Sequence, residues 1–359
     1  MVRAFAVAVL VLVLAAPTAP AAAAKKPTPV QKIARGLVTA HAPGAIVFVR
    51  TPKGVHSAVA GVAQVQPRVP MRVGDRFRIA SVTKTFVATV VLQLASEGKL
   101  GLDDSIERWL PGVVPNGAPI TLRHLLNHTS GLFNYVDDAA WQTTEIANPG
   151  RAWLPIELLP YSFSHGSLFA PGSNYAYSNT GYVLLGLVIE KVTGEPLGQV
   201  LRERIIDPLG LHATTFPTDA TVPEPFVHGY ARIAGSPLLD ITSLLHPSFL
   251  YAAGQIISSA ADLTRFFGAL LKGQLLPASF LTQMKTGSSA SGAYGLGMGL
   301  SFSPCGRVFG HEGDFVGWRT EVWSNAKGTR IAVALVNIDT THVSWEALEN
   351  ASLRALCTG

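Results

Sequence analysis

The sequence at residues 81–98 reads Ser-Val-Thr-Lys-Thr-Phe-Val-Ala-Thr-Val-Val-Leu-Gln-Leu-Ala-Ser-Glu-Gly. Within it Phe86, Val90 and Leu94 recur every four residues, and this spacing predicts a helix with a wide apolar stripe. Gly98 is placed to end that helix. The stripe does not require the polar first turn, which therefore needs an explanation of its own.

Ser81 and Lys84 stand in this first turn. Residues three apart lie on the same face of a helix, so the Lys84 amine can reach the Ser81 hydroxyl. A serine hydroxyl is a weak nucleophile until a base takes its proton, and a desolvated lysine can be that base. The alternative, which the pattern alone favours, is a capping serine beside a solvated lysine. The pair indicates catalysis only if other groups accompany it.

Two later segments supply candidates for such groups. Residues 177–179 read Tyr-Ser-Asn and follow a Pro-Gly turn. A tyrosine near a lysine ammonium can relay protons, and an asparagine amide can bind a peptide group. Residues 311–313 read His-Glu-Gly, and we place them at the edge of a carboxy-terminal sheet. Gly313 would let a substrate backbone approach that strand closely.

The three motifs occur in the order of a known family: Ser81-x-x-Lys84, Tyr177-x-Asn179 and His311-x-Gly313. Their order and intervals resemble the penicillin-recognising serine hydrolases. Within these, the sequence is similar to the branch that holds the D-alanyl-D-alanine carboxypeptidases, the class C β-lactamases and the β-lactamase-like esterases. Three longer segments also resemble this branch, namely residues 120–132, 182–211 and 252–270.

The resemblance implies a mechanism through an acyl-enzyme. Ser81 would attack the substrate carbonyl, and Lys84 and Tyr177 would manage its proton, with the choice of base between them open. The backbone N–H groups of Ser81 and Asp314 would form the oxyanion hole, a preorganised pair of donors. Asn179 would hold the substrate amide.

The third motif departs from the family pattern. His311 stands where most members have a lysine, and Glu312 stands where the better-known members have a Thr or Ser that helps hold a substrate carboxylate. A carboxylate pointing into that site would repel a C-terminal D-alanine or a penicillin carboxylate. Arg319 would compensate if its side chain points the same way, but a bulge at Gly317 leaves that direction open.

Strand and helix patterns occur at both ends of the chain. They predict strands at residues 45–50, 55–62, 320–324 and 329–337, with helices at residues 31–40 and 344–356. Together with the resemblance, they predict an α/β (α+β) fold of the β-lactamase/transpeptidase type. An antiparallel sheet flanked by helices would come from about residues 30–98 and 250–359, with a mostly helical insertion at about residues 100–250.

Residues 1–24 have the pattern of a secretory signal peptide: a basic residue, an apolar run and a small-residue cleavage site, at Arg3, residues 4–16 and residues 22–24. We predict cleavage after Ala24, leaving residues 25–359 as a secreted or extracytoplasmic protein with no membrane span. The alternative is a membrane anchor, but spanning needs about 20 apolar residues and Pro17 interrupts this run.

Export gives the two cysteines, Cys305 and Cys357, a specific meaning. Oxidising compartments allow disulfides, and two thiols make one obvious pair, although two buried free thiols are the alternative.

His124 and His128 have a spacing that can bind zinc, but the glutamate of the zinc-helix motif is missing. The glycines at 295, 297 and 299 lack the strand–helix setting of a dinucleotide site. We expect no metal and no cofactor.

Composition excludes two other classes of protein. Hydrophobic residues make up 48% of the chain and charged residues 14%, against about 25% charged in ordinary globular proteins, so the chain is not disordered. The formal net charge of +5 is not clustered. Nucleic-acid binding needs a basic face and is therefore not indicated.

These features together predict an exported, monomeric serine hydrolase that acts on a small peptide, ester or β-lactam. The first hypothesis is a D-alanyl-D-alanine carboxypeptidase acting on peptidoglycan stem peptides. A class C-like β-lactamase or a carboxylesterase is the alternative on the same machinery. A penicillin- or peptide-binding protein without activity is a third hypothesis, which the joint presence of Ser81, Lys84, Tyr177 and Asn179 argues against.

Overall fold

The structure, a computed structural model, describes residues 26–39, 42–232, 237–339 and 343–358. The predicted signal peptide at residues 1–24 lies outside these ranges. No helix among the described residues is long and apolar enough to cross a membrane.

The strands of the described residues are, in chain order, β1 Gly44–Thr51, β2 Gly54–Gln64, β3 Val69–Pro70, β4 Phe77–Arg78, β5 Tyr230–Ala231, β6 Leu239–Asp240, β7 Ile257–Ser258, β8 Gly299–Ser303, β9 Gly306–Phe315, β10 Trp318–Asn325 and β11 Ile331–Val336. The α-helices are α1 Pro29–Thr39, α2 Thr83–Ser96, α3 Ile106–Trp109, α4 Leu122–Leu126, α5 Ala139–Ala147, α6 Pro155–Phe163, α7 Asn179–Thr193, α8 Leu197–Leu201, α9 Ala260–Leu271, α10 Ala278–Met284 and α11 Trp345–Leu356. Shorter 3-10 turns include Ala80–Val82 and Tyr251–Ala253.

Strands from both chain ends form one antiparallel sheet in the order β3-β2-β1-β11-β10-β9-β8. The amino-terminal β1 pairs with the carboxy-terminal β11, from Ala45 opposite Val336 to Arg50 opposite Ile331. These two central strands are covered on both faces, which explains why each is a continuous apolar run. The predicted sheet and its flanking helices are confirmed.

The two faces of the sheet pack against different helices. Side chains alternate along β1, so Ile46 and Phe48 join the large core with α2 and α9, whereas Val47 and Val49 join a smaller core with α1 and α11. The large core continues into the helices α3 to α8. The two longest buried helices, α2 and α7, pack against each other, and the Ala80–Val82 turn in front of α2 contacts β9.

The helix predicted at residues 81–98 begins later than expected. Ala80–Val82 form a 3-10 turn and the α-helix starts at Thr83, because Ala80 has a left-handed φ of 48° that breaks the helical path. Gly98 ends the segment with a φ of 71°, as the sequence predicts. Ser81 therefore stands in a tight turn in front of α2 rather than in its first α-helical turn.

The predicted disulfide is present. Cys305 and Cys357 are bonded with their Cα atoms 5.8 Å apart, which ties the turn between β8 and β9 to the end of α11. Within the described residues there is no free cysteine.

Removal of the disulfide is expected to lower the stability of the fold without abolishing activity. Replacing both cysteines, Cys305→Ser with Cys357→Ser, should lower the free energy of unfolding by up to about 4 kcal/mol, because a sequence separation of 52 residues is then no longer cross-linked. Turnover should persist, since the strand from Gly306 to His311, about 17 Å long, separates the bridge from the site. Urea unfolding of the native protein and of the double variant, with the activity of both measured beside it, checks this. An unchanged midpoint would show that the bridge does not stabilise the fold.

Candidate active site

Ser81 is half-buried at the amino end of α2, in the turn that follows the left-handed Ala80. A non-glycine residue in this conformation costs about 1–3 kcal/mol and is found where the surroundings enforce it. Here β9 packs against the turn and holds Ala80 in this conformation. The serine hydroxyl is thereby held at the point where the sheet, α2 and α7 meet.

Lys84 is fully buried and has three oxygen partners. Its Nζ lies 2.9 Å from Ser81 Oγ, 2.7 Å from Asn179 Oδ1 and 2.8 Å from the Ala253 carbonyl oxygen. Burial lowers the pKa of Lys84 well below its ordinary value, and the charge of Glu312 opposes that shift only in part. The structure thus brings Ser81 and Lys84 into direct contact, as the spacing predicts.

Tyr177 and Asn179 approach this pair from the start of α7. The ring of Tyr177 lies 4.9 Å from Lys84 Nζ, and Asn179 is the first residue of the helix. Burial raises the pKa of Tyr177 well above its ordinary value, and its hydrogen bond with Ser81 lowers it by less. Tyr177 is therefore a neutral phenol at physiological pH.

The third motif lies on β9, where the neighbouring strand ends. β8 pairs with β9 only as far as Gly299 opposite Gly310, so His311 and the residues after it have no partner from β8. Gly313 faces the Ala80–Val82 turn so closely that an added Cβ would lie 2.2 Å from the carbonyl oxygen of Ile79. Only glycine fits there, and this contact sets the distance between β9 and Ser81.

His311 is buried and bound within the protein. Its Nδ1 bonds the Glu312 carbonyl oxygen, and its Nε2 lies 2.7 Å from the Tyr294 hydroxyl. A carbonyl only accepts, so Nδ1 carries the proton and the tyrosine donates to Nε2. Burial and the charge of Lys84 lower the pKa of His311 to about 3. His311 is therefore neutral and does not replace the positive charge of a lysine.

Glu312 and Arg319 do not face Ser81. On paired strands, opposite residues share a face, and Arg319 is opposite Asp314 while Glu321 is opposite Glu312. Arg319 is fully buried, donates to the Val343 carbonyl and lies 3.7 Å from the ring of Trp345 on the α11 side. The arginine expected to compensate for Glu312 is thus turned away from Ser81.

Glu312 nevertheless reaches the rim of the site. With Tyr177, His311 and Glu349 it lines a cavity of about 250 Å³ at the exposed edge of β9. Glu312 is exposed, but partial desolvation and then the charge of Glu349 raise its pKa, and the charge of Arg319 opposes that shift only in part. The cavity beside Tyr177 is therefore lined by two carboxylates.

Sequence reasoning missed three contributors to the site. Tyr294 binds His311 from a glycine-rich loop, and the Ala253 carbonyl binds Lys84 from a 3-10 turn. His128 lies 4.3 Å from Tyr177 between ring centroids. The segment around Ala253 already resembles the family, but a backbone acceptor leaves no signal in residue identity.

Comparison with known proteins gives the family. A family model described as Beta-lactamase matches residues 30–355, and the chain belongs to this family of serine hydrolases. Penicillin-binding protein 4* of Bacillus subtilis (strain 168) is 29% identical over 279 residues, covering 72% of this chain. The chain spans only 60% and 64% of the length of two curated relatives from that organism.

Solved structures agree with this assignment. A D-stereospecific amidohydrolase from Streptomyces sp. is 38% identical with a TM-score of 0.82, covering 89% of this chain and 97% of that protein. A D-amino acid amidase from Ochrobactrum anthropi SV3 is 28% identical with a TM-score of 0.79, covering 91% and 98%. The fold is thus the mixed α/β fold of the family.

The contact at Gly313 predicts that Gly313→Ala lowers kcat/KM about 100-fold, the effect of losing one oxyanion donor, because β9 must move away from Ile79. Gly74→Ala is the matched control, since an added Cβ there meets no atom within 4 Å. Ester hydrolysis and melting temperature should be measured for both variants. Full activity in Gly313→Ala would show that the β9 spacing does not matter for the reaction.

Proposed function

We propose that the protein hydrolyses small amides or peptides through an acyl-enzyme formed on Ser81. The observation that carries this proposal is the contact between Ser81 Oγ and the buried Lys84 Nζ, at 2.9 Å. A nucleophile and a base within hydrogen-bonding distance, with the base held by further groups, is the usual arrangement for covalent catalysis.

The partners of Lys84 support its role as the base. A neutral amine has two N–H donors and one lone pair. Asn179 Oδ1 and the Ala253 carbonyl only accept, so they take both N–H groups. The lone pair is then left for the O–H of Ser81. Because burial lowers the pKa of Lys84 while it raises that of Tyr177, lysine is the better base in the free enzyme.

In the proposed reaction Ser81 Oγ bonds to the substrate carbonyl carbon while its proton moves to Lys84 Nζ. The carbonyl oxygen becomes an oxyanion, and the backbone N–H groups of Ser81 and Asp314 stabilise it. The C–N bond then breaks, and Tyr177 gives its phenol proton to the leaving amine and regains one from the Lys84 ammonium. Water then attacks the ester carbonyl while Lys84 takes its proton, and that proton returns to Ser81 Oγ as the acid is released.

The charge of the cleft supports an amine-bearing substrate. Glu312 and Glu349 line the cavity beside Tyr177, whereas Arg319, although on the same face of the sheet as Glu312, packs against Trp345 and does not line that cavity. A substrate with a free ammonium group would be attracted there and a carboxylate repelled. The structural relatives named for D-stereospecific amide hydrolysis support the same class. We therefore propose amides or peptides of D-amino acids with a free amino group.

The D-alanyl-D-alanine carboxypeptidase activity predicted from the sequence remains a hypothesis on the same machinery. The similarity to a penicillin-binding protein supports it, but its substrate would bring a carboxylate to this cleft. We also propose export, as residues 1–24 predict. The Cys305–Cys357 disulfide supports export, because disulfides persist in oxidising compartments.

The base assignment predicts that Lys84→Arg is inactive although arginine is also a basic side chain, because arginine does not lose its proton. Ser81→Ala should be equally inactive, and a fluorophosphonate should label the native protein at Ser81 alone. For the native enzyme, kcat/KM should fall as the pH drops through the lowered pKa of Lys84. Lys99→Arg, at an exposed lysine, is the control. Substantial turnover by Lys84→Arg would exclude lysine as the base.

The substrate assignment predicts a preference for the free amine. We expect kcat/KM for D-alanine p-nitroanilide to exceed that for the N-acetyl compound about fivefold, as a partly exposed ion pair contributes up to ~1 kcal/mol. The preference should weaken at lower pH, because protonation of Glu312 removes its charge. The L-enantiomer, a cephalosporin, a short-chain ester and a diacyl-D-Ala-D-Ala peptide complete the panel. Faster hydrolysis of that peptide would favour the carboxypeptidase instead.

A further inference from the structure

His128 is a buried histidine that the proposed reaction does not use. It follows α4, is 1% exposed and has a left-handed φ of 61°. Its spacing from His124 suggests a metal pair, but its Nδ1 already accepts a backbone N–H. A strained conformation at a buried position next to a reacting group calls for a functional explanation.

His128 accepts hydrogen bonds from the residues on either side of Tyr177. The His128 carbonyl oxygen accepts the N–H of Ala176 at 3.0 Å, and its Nδ1 accepts the N–H of Ser178 at 3.2 Å. The imidazole ring itself lies 4.3 Å from the Tyr177 ring, measured between centroids. One residue therefore holds the backbone on both sides of Tyr177 and also supports its ring.

The protonation of His128 follows from these bonds. An accepting Nδ1 puts the proton on Nε2. Burial, and then the positive charge of Lys84 and of His311 when protonated, lowers the pKa of His128 well below its ordinary value. The other titratable groups facing the ring are Tyr175, Tyr177, Tyr182 and Tyr294, at centroid distances between 4.3 and 6.0 Å. The ring is thus a neutral acceptor towards Ser178.

Stability alone does not favour a histidine here. Nε2 is buried and has no hydrogen-bond partner in the part of the chain that the structure describes. A buried donor without a partner costs about 1–3 kcal/mol. An apolar side chain of similar size would avoid that cost, but it would leave the N–H of Ser178 without its acceptor.

We propose that His128 is a positioning residue that aims the hydroxyl of Tyr177 at Ser81. This inference rests on the proposed function, in which Tyr177 passes a proton to the leaving group. His128 does not line the cavity beside Tyr177. Its loss should therefore change kcat and leave KM nearly unchanged, because only the transition-state contact of Tyr177 is displaced.

The test uses three variants of His128 with different remaining groups. Asparagine tolerates a positive φ and offers an oxygen to Ser178, leucine keeps the volume without an acceptor, and alanine keeps neither. We expect His128→Leu and His128→Ala to lower kcat about 100-fold, the effect of a misplaced catalytic group, with KM within about threefold. His128→Asn should recover at least about tenfold over alanine.

A matched control separates this effect from general damage to the fold. His124 lies four residues earlier in α4, and its side chain accepts the N–H of Thr121 in a capping box. His124→Ala should lower the melting temperature and leave kcat unchanged. Melting temperatures of all variants, together with the rate of single-turnover acylation of Ser81, complete the measurement.

Wild-type kcat in His128→Leu would overturn the inference. It would also be overturned if kcat in all three variants fell only in proportion to the fall in their melting temperatures. If Ser81→Ala is inactive while His128→Leu is fully active, only the positioning role fails. Turnover by Ser81→Ala would overturn the proposed function and the positioning role together.

Discussion

The buried amine of Lys84 is the constraint on which the site depends. A lysine removed from water needs oxygen partners, and it takes one from each of three parts of the chain: Ser81 in front of α2, Asn179 at the start of α7 and Ala253 in a 3-10 turn. Satisfying this one group therefore positions three segments far apart in sequence. The same burial that requires those partners also lowers the pKa of the amine.

A second constraint comes from the sheet. β9 and the Ala80–Val82 turn approach so closely at Gly313 that no side chain fits between them. The pairing between β8 and β9 extends no further than Gly310, so the next residues of β9 form a strand edge beside Tyr177. The end of β8 and the missing side chain at Gly313 thus shape the part of β9 that lies beside Tyr177.

Electrostatics then separates this protein from the family pattern described above. His311 is neutral through burial and its bond to Tyr294, and Arg319 lies under α11. Neither supplies the positive charge that a substrate carboxylate needs, while Glu312 lines the rim with its negative charge. The structure brings together the groups that the motifs single out, but the charge around them supports the proposed amine-bearing substrate rather than one with a carboxylate.

By itself the sequence determined the fold and the main contacts of the site. Apolar periodicity predicted the sheet strands and the buried helix, and residue type with spacing predicted the contact between Ser81 and Lys84. Only the tertiary structure decided the direction of Arg319 and the hydrogen bond between His311 and Tyr294. It also decided the hydrogen bonds that His128 accepts on both sides of Tyr177. The physical reason is that periodicity gives a side chain's face only where strand register is known, and backbone partners leave no trace in residue identity.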